Sequence, residues 1–323
     1  MFVKKNFLLI VILLAVVFAV ATKATVFQKP TTPPAASVPA ESAEFRAYWF
    51  AGQAELNSYT LQQARYGAIN PGHAVLIFVT EDFRTDLQVK SESEASYSKS
   101  TPVLKTNAVR QFVTGVYDYS LFTSVFTPIN AAIFPNTLKV SSSAQEWCGT
   151  TFTQLNLRTT GYQVEGHSYF EKEGEENYST GKVLLEDELY NRIRLDPDKL
   201  PVGTVQLIPS AVSTRLRHKK MEPQSATITR AAITAQAWFG ASASRITTAD
   251  SLQTYSLDYT NDARKLTIVY EKAFPYRIMG WEETYDDFGK VLTSKATLTK
   301  TIRSDYWKHH APGDSTLRHE LLP

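Results

Sequence analysis

The stretch from Gln145 to Phe170 constrains the fold most, because two alternating runs in it flank a short polar turn. Residues 158–161 form this turn, and Gly161 can adopt a positive φ there without steric cost. The pattern predicts a β-hairpin in which Leu157 pairs with Tyr162.

Side chains alternate across a strand, so this register divides the hairpin into two faces. The first face is apolar and consists of Trp147, Leu155, Leu157, Tyr162, Val164 and Phe170. The second face is mixed and consists of Cys148, Thr150, Phe152, Gln154, Gln163, Glu165, His167 and Tyr169. Aromatic surface with a few polar groups is typical of a ligand-cavity wall, and an exposed sheet face is the alternative. The predicted ligand-binding residues are Phe152, Gln154, Glu165, His167 and Tyr169.

The rest of the chain repeats the period of two and predicts about a dozen strands. Strands are expected within residues 45–66 and at Ala74–Thr80, with a bulge near Gly115. Residues 182–194 have the best helical pattern, and residues 315–321 predict a short terminal helix. The predicted fold is mainly β: a large antiparallel sheet or half-barrel, or alternatively two abutting sheets, with one central helix.

Composition excludes some classes of function. The net charge is +2, and loss of a leader containing Lys4 and Lys5 would leave 32 basic and 32 acidic side chains. A chain with this balance has no excess of positive charge to attract nucleic acid, so no nucleic-acid partner is expected. The single cysteine, Cys148, cannot form an internal disulfide.

The N-terminus predicts export. Lys4 and Lys5 precede an apolar run from Phe7 to Ala21, which ends in an A-x-A sequence. Residues 1–21 are therefore read as a signal peptide, or as an N-terminal membrane anchor formed by residues 7–21 if they are not cleaved. Either reading places the protein in the periplasm, as a soluble or an inner-membrane-anchored protein.

The domain boundaries follow from composition. Residues 22–43 form a linker rich in Pro, Ala and Thr, and residues 44–304 form the β-rich domain. Residues 305–323 form a C-terminal tail.

Candidate catalytic groups each have a simpler interpretation. In the predicted register Cys148 and His167 lie about 13 Å apart, which is too far for proton transfer. Neighbouring carboxylates, Glu282-Glu283 and Asp286-Asp287, point to opposite faces of a strand. The sequence has no metal-ligand spacing or nucleotide-binding motif, so no catalytic residue, metal or cofactor is predicted.

Four segments resemble a family of exported, β-rich envelope proteins of Gram-negative bacteria whose function is unknown. They are YWFAGQAELNSYTLQQARYG, SSAQEWCGTTFTQLN, LLEDELYNRIRLDPDKLPVG and KTIRSDYWKHH. Members of this family are sometimes labelled "septum formation inhibitor Maf", but this chain lacks the S-x-S-P-R-R signature of the Maf pyrophosphatases. The order of helix, L-P-V-G turn and strand meander is also similar to lipoprotein-carrier-like half-barrels. The resemblance implies a β-rich envelope protein.

These observations favour a non-enzymatic envelope protein that binds an apolar or lipid-like ligand or an envelope protein partner. A hydrolase that uses carboxylates and a purely structural interaction module are the alternatives.

Overall fold

The computed structural model describes residues 42–322, which form one mainly antiparallel sheet of 16 strands that does not close. The predicted fold class is therefore confirmed. The strands are β1 (Ala54–Arg65), β2 (Ala68–Arg84), β3 (Val89–Lys90), β4 (Ser100–Thr114), β5 (Tyr117–Pro128), β6 (Lys139–Glu146), β7 (Gly149–Leu157), β8 (Tyr162–Ser168), β9 (Glu175–Thr180), β10 (Leu184–Leu185), β11 (Gly203–Ile208), β12 (Gln224–Thr234), β13 (Ser251–Tyr259), β14 (Lys265–Glu271), β15 (Ile278–Asp287) and β16 (Lys290–Ser304).

The helices within the described residues are short. The α-helices are α1 (Ala43–Trp49), α2 (Leu189–Leu195), α3 (Ala211–Leu216), α4 (Ala235–Phe239), α5 (Ala243–Ile246) and α6 (Ser315–Leu321). The 3-10 helices are Glu94–Lys99, Glu186–Glu188, Pro197–Lys199, Gly240–Ser242, Tyr306–Lys308 and Pro312–Asp314. The expected signal peptide and nearly all of the expected linker lie outside the described residues.

The sheet order places β1 at the centre, between β2 and the last strand, β16. The edge strands of the main path are β9 and β10, although only residues 181–183 separate them in sequence. An apolar cluster joins Tyr162 and Val164 of β8 to Leu185 of β10 and Ile208 of β11. The sheet therefore curls until its two ends pack against each other.

Helix α2 lies on the concave side of the curled sheet. Leu189 and Ile193 are fully buried in the largest apolar cluster. The side-chain amide of Asn191 donates to the carbonyl oxygen of Leu104 and to the hydroxyl of Thr127, both at 3.0 Å. These contacts attach α2 to β4 and β5, so the interior beside the helix is occupied by side chains.

Helix α2 is shorter than the predicted helix over residues 182–194. Leu184 and Leu185 are extended instead, because they pair in parallel with Leu207 and Ile208 of β11. The helical turn begins only after this pairing ends, where the carboxylate of Glu188 accepts a hydrogen bond from the amide of Leu185. Tertiary pairing thus overrides the local helical pattern.

The continuous apolar run in β2 reflects burial on both faces of the sheet. Phe78 belongs to the concave core, whereas Val75 and Val79 pack on the other face against Leu321 of α6. The predicted terminal helix over residues 315–321 is confirmed, and it covers the convex face of the central strands.

Two local predictions are wrong. Residues 43–49 are helical rather than extended: the hydroxyl of Ser42 accepts from the amide of Phe45, and Phe45 and Trp49 bury the same side of the helix. The expected bulge at Gly115 is a turn between β4 and β5, where Gly115 has a φ of 60°. Its two flanking runs are separate strands, which explains why their alternation changes phase.

Several charged side chains are buried in the concave core, where each forms an ion pair with hydrogen bonds to a side chain of opposite charge. The guanidinium of Arg194, in α2, binds both carboxylate oxygens of Glu55 in β1. Arg264 donates to Glu186 at 2.5 and 2.6 Å and to Glu283 at 2.7 Å. Buried charges are tolerated when they are paired and hydrogen-bonded in this way.

Among the described residues, the carboxyl group of Asp187 has no cationic partner of this kind, so its pKa shows the effect of burial. Burial, with a smaller contribution from the adjacent Glu186, raises the pKa of Asp187 to about 7, although the amide of Ala211 donates to Asp187 at 2.9 Å and lowers it. An acid with a raised folded-state pKa contributes most stability below its unfolded pKa, and this contribution is lost as the pH rises through about 7. Ionisation of Asp187 therefore opposes folding at neutral pH.

We expect Asp187→Asn to be more stable than the native chain at pH 7.5, on the order of 1 kcal/mol because the side chain is only half-buried by surface area. The difference should shrink towards pH 4. Urea unfolding at the two pH values measures it, with the exposed Asp118→Asn as the control. A variant that is equally destabilised at both pH values would contradict the assignment.

Candidate functional site

Several hairpin turns lie at the same end of the sheet and surround a pocket of about 470 Å³. The turn residues come from β1–β2, β6–β7 and β15–β16, and the segment after α3 completes the rim. We call this site the turn-end pocket; it is lined by Arg65, Tyr66, Glu146, Cys148, Phe170, Leu216, Arg217, His218, Lys219, Asp286, Asp287 and Phe288.

Three lining residues have left-handed backbone conformations without being glycine. Tyr66, His218 and Phe288 have φ angles of 56°, 51° and 54°. The first and last each precede a glycine that also has a positive φ, in a two-residue turn where Asn or Asp is the usual choice. A left-handed conformation costs a bulky residue roughly 1–2 kcal/mol. Such backbone strain is concentrated at functional sites in proteins.

Phe288 and Tyr66 begin a row of aromatic rings that extends from the pocket lining to Tyr117 and Trp147 outside it. The ring centre of Phe288 lies 5.4 Å from that of Tyr66. The ring centre of Tyr117 lies 6.4 Å from those of both Tyr66 and Trp147. Phe288 and Trp147 are 71% and 67% exposed. An exposed, contiguous aromatic surface marks an interaction site rather than a packing defect.

A buried cation supports the row from below. The guanidinium of Arg65 lies 4.3 Å from the ring centre of Tyr66 and donates to the carbonyl oxygen of Leu216. The hydroxyls of Tyr66 and Tyr119 are 2.7 Å apart. Burial is the main cause of a strongly raised pKa at Tyr119, so its phenol remains protonated. These contacts hold the ring of Tyr66 in one orientation.

The opposite wall contains charged residues that pair at its outer edge. Arg217 donates to Asp262 at 2.6 Å, and Lys219 donates to the same carboxylate at 2.8 Å. Burial raises the pKa of Asp262, but these hydrogen bonds outweigh burial and lower the pKa to about 2. His218 contacts Glu173 at 2.6 Å through Nδ1. These contacts connect the wall to Asp262 and Glu173.

The carboxylates of the pocket support its turns. Asp287 accepts from the amide of Gly67 at 2.6 Å, and Asp286 accepts from the amide of Gly289 at 3.1 Å. Glu146 accepts from Arg215 at 3.0 Å. Each carboxylate retains acceptor capacity beyond these bonds. Three carboxylates thus balance three side-chain cations, Arg65, Arg217 and Lys219, in one lining.

The predicted hairpin is present, and its register is correct. Leu157 pairs with Tyr162, and Phe152 pairs with His167. Trp147 and Cys148 instead form the turn between β6 and β7, and Trp147 is exposed rather than buried with Leu155.

The predicted ligand-binding residues lie mostly on the outer surface of the hairpin. Phe152, His167 and Tyr169 are exposed, whereas Gln154 and Glu165 are half-buried. His167 pairs with Glu175 across the surface, and Phe152 and His167 border a cleft of about 60 Å³ beside α3. None of the five lines the turn-end pocket. Their role in binding therefore stays a prediction.

Sequence reasoning missed the pocket residues because they lie on turns that are distant in sequence. The available signal was the pair of turns Tyr66-Gly67 and Phe288-Gly289, in which an aromatic residue stands where asparagine is usual. Cys148, the exposed free thiol, borders the same pocket as His218 rather than contacting His167.

Phe288→Asn is expected to stabilise the protein by about 0.5–1 kcal/mol, because asparagine adopts the left-handed conformation more readily than phenylalanine. Thermal unfolding measures the change. Val291→Asn is the matched control, since Val291 is equally exposed at 71% on the same hairpin but lies within β16. That control should be slightly destabilising. Destabilisation by Phe288→Asn would show that the ring serves folding.

Searches against protein-family models, curated proteins and solved structures give no match to this chain. Within residues 42–322, no helix has the length and apolar character needed to cross a membrane. In the same region, no three His, Cys, Asp or Glu side chains are grouped so that they could hold a metal ion.

Proposed function

We propose that this chain is a non-enzymatic binding protein of the cell envelope and that the turn-end pocket holds its ligand. The observation that carries the proposal is the left-handed backbone of Tyr66, His218 and Phe288, all at one pocket. Two of these side chains sit where asparagine would fold more easily. The ring of Tyr66 is also held by Arg65 and Tyr119, whereas the ring of Phe288 is 71% exposed, and binding gives a reason for an aromatic residue there.

The location of the pocket favours binding at the surface over storage of a lipid inside the curled sheet. Leu189, Asn191 and Ile193 of α2 fill the concave side and are fully buried. An acyl chain there would have to displace the helix and its hydrogen bonds to β4 and β5. The turn-end pocket is accessible without such a rearrangement.

A hydrolase is the second candidate, because Glu146, Asp286 and Asp287 line one pocket. Hydrolysis of a glycoside needs two carboxylates with separate roles as acid and as base or nucleophile. Two of the three accept hydrogen bonds from turn amides, as described above, which favours a structural role. The hydrolase would be established instead if the protein hydrolyses its bound ligand and Glu146→Gln abolishes this hydrolysis without weakening binding.

Hydrogen–deuterium exchange tests the binding proposal. The purified full-length chain is mixed with lipid, neutral-oligosaccharide and peptide fractions of the producing cell's envelope. We expect one fraction to protect the amides of residues 65–67, 217–219 and 287–289. The protection should be lost in Trp147→Ala and retained in Trp307→Ala, whose indole is 46% exposed outside the pocket. Absence of protection by every fraction overturns the proposal.

Export is part of the same proposal and rests on the pattern of Lys4, Lys5 and residues 7–21. Cell fractionation followed by N-terminal sequencing tests it. Recovery outside the cytoplasm is expected, with either a new N-terminus after Ala21 or an intact leader in the membrane fraction. Recovery of the intact chain from the cytosol overturns it.

A further inference from the structure

We infer that the ligand of the turn-end pocket is a neutral oligosaccharide; this inference rests on the binding function proposed above. The first reason is the charge balance of the lining, which contains the three cations Arg65, Arg217 and Lys219 and the three carboxylates Glu146, Asp286 and Asp287. An anionic ligand would meet three carboxylates, and a cationic ligand would meet three cations. Neither sign of charge is favoured.

An apolar ligand also fits this lining poorly. Burying charged groups under hydrocarbon removes their water without replacing its hydrogen bonds, which is costly. The buried guanidinium of Arg65 donates through all three nitrogens to the carbonyl oxygen of Leu216 and the hydroxyls of Tyr66 and Tyr119. Asp287 is already buried in the protein and has only part of its hydrogen-bonding capacity used. A ligand that covers this carboxylate must itself offer polar groups.

Sugar hydroxyls meet this requirement. A hydroxyl both donates and accepts, so one ligand can donate to the carboxylates and accept from the guanidinium and ammonium groups. Hydrogen bonds to charged partners are roughly twice as strong as those between neutral groups. The same wall can therefore bind a neutral polyol through both kinds of charged residue.

The aromatic row supplies the other half of sugar recognition. The face of an aromatic ring is negative, and the C–H groups on one face of a pyranose carry partial positive charge. Phe288 and Tyr66 line the pocket, and Tyr117 and Trp147 continue the row of neighbouring rings outside its lining. A row of rings beyond the pocket indicates a ligand of several linked sugars rather than a monosaccharide.

A peptide is the closest competitor, because aromatic rims also bind proline-rich segments. The centres of protein interfaces are depleted in Lys, Glu and Asp. The turn-end pocket has these residue types beside the aromatic row, at Glu146, Lys219, Asp286 and Asp287. The lining therefore favours an oligosaccharide over a peptide.

Isothermal titration calorimetry of the full-length chain tests the inference. The probes are a panel of neutral oligosaccharides that includes N-acetylglucosamine and glucose oligomers of two to six units. We expect affinity to increase with oligomer length, and Phe288→Asn and Trp147→Ala to weaken it about tenfold or more, equivalent to about 1.4 kcal/mol. Trp307→Ala should bind normally. Phe288→Asn is informative because it is expected to fold at least as well as the native chain.

A proline-rich peptide and a lysophospholipid serve as probes of the competing classes. If either binds at the pocket and no oligosaccharide does, the carbohydrate inference is overturned while the binding function stands. If oligosaccharides bind but the aromatic variants bind equally well, the inference is overturned as well, because the ligand lies elsewhere. If no probe binds and no envelope fraction protects the pocket, the proposed function fails together with the inference.

Discussion

Replacing Arg264 with methionine should lower the free energy of unfolding by about 3–5 kcal/mol. The guanidinium of Arg264 is almost completely buried and bridges Glu186 to Glu283. Methionine fills part of the volume but leaves both carboxylates in the core without this cation. The cost of such an orphaned buried charge is much larger than that of a lost surface pair.

The pH dependence separates this mechanism from a simple packing defect. Burial raises the pKa of Glu283, but Arg264 and then Arg110 outweigh burial and lower it below its ordinary value of 4.5. In the native chain Glu283 therefore contributes stability that is present above pH 4.5 and lost as the pH falls through the lowered folded-state pKa. Without Arg264, burial dominates and the folded-state pKa should rise above the unfolded value.

The sign of the contribution then reverses in Arg264→Met. The variant should be most impaired at neutral pH, and its deficit should become smaller as the pH approaches 5. Urea unfolding at pH 7.5 and pH 5 measures the deficit. Arg84→Met is the control, since solvent screens the Arg84–Asp86 pair at the surface and its loss should cost far less. A deficit below that of the control, or one that grows at pH 5, would contradict the prediction.

Asn191→Leu should destabilise the protein by about 2–4 kcal/mol, since a buried polar group that loses its partner costs about 1–3 kcal/mol. Asn191 is fully buried and connects α2 to four groups of the sheet: the carbonyl oxygens of Leu104 and Val125 and the hydroxyls of Thr106 and Thr127. Leucine keeps the shape of the side chain and removes all of these hydrogen bonds. The loss is therefore polar rather than steric.

Hydrogen exchange locates this effect. The amides of residues 189–195 should exchange faster in Asn191→Leu, because α2 is released from β4 and β5 before the sheet unfolds. Asn177→Ala is the control: Asn177 is exposed and forms a side-chain bond with Gln163 between two outer strands. Unchanged protection of α2 in Asn191→Leu would show that apolar contacts alone hold the helix.

The strands were predictable wherever one face of the sheet is buried, because the side-chain period of two then appears in the sequence. The register of Leu157 with Tyr162 followed from the turn at residues 158–161 and is confirmed. The prediction of a strand is wrong at Phe45–Trp49, because Phe45, Tyr48 and Trp49 have helical spacing and form a helix. The prediction of a helix is wrong at Leu184-Leu185, where pairing with β11 prevents the helix from starting earlier.

The fold class, the β7–β8 hairpin and the terminal helix could be predicted from periodicity and turn residues, which are visible in the sequence. The curling of the sheet around α2 and the formation of the turn-end pocket depend on contacts between residues far apart in the chain, such as the pairing of β1 with β16. Tyr66, Cys148, His218 and Phe288 meet there because the curled sheet brings turns from four parts of the chain together. The sequence pattern does not show which turns lie close together, because that depends on how strands far apart in the sequence pair and twist.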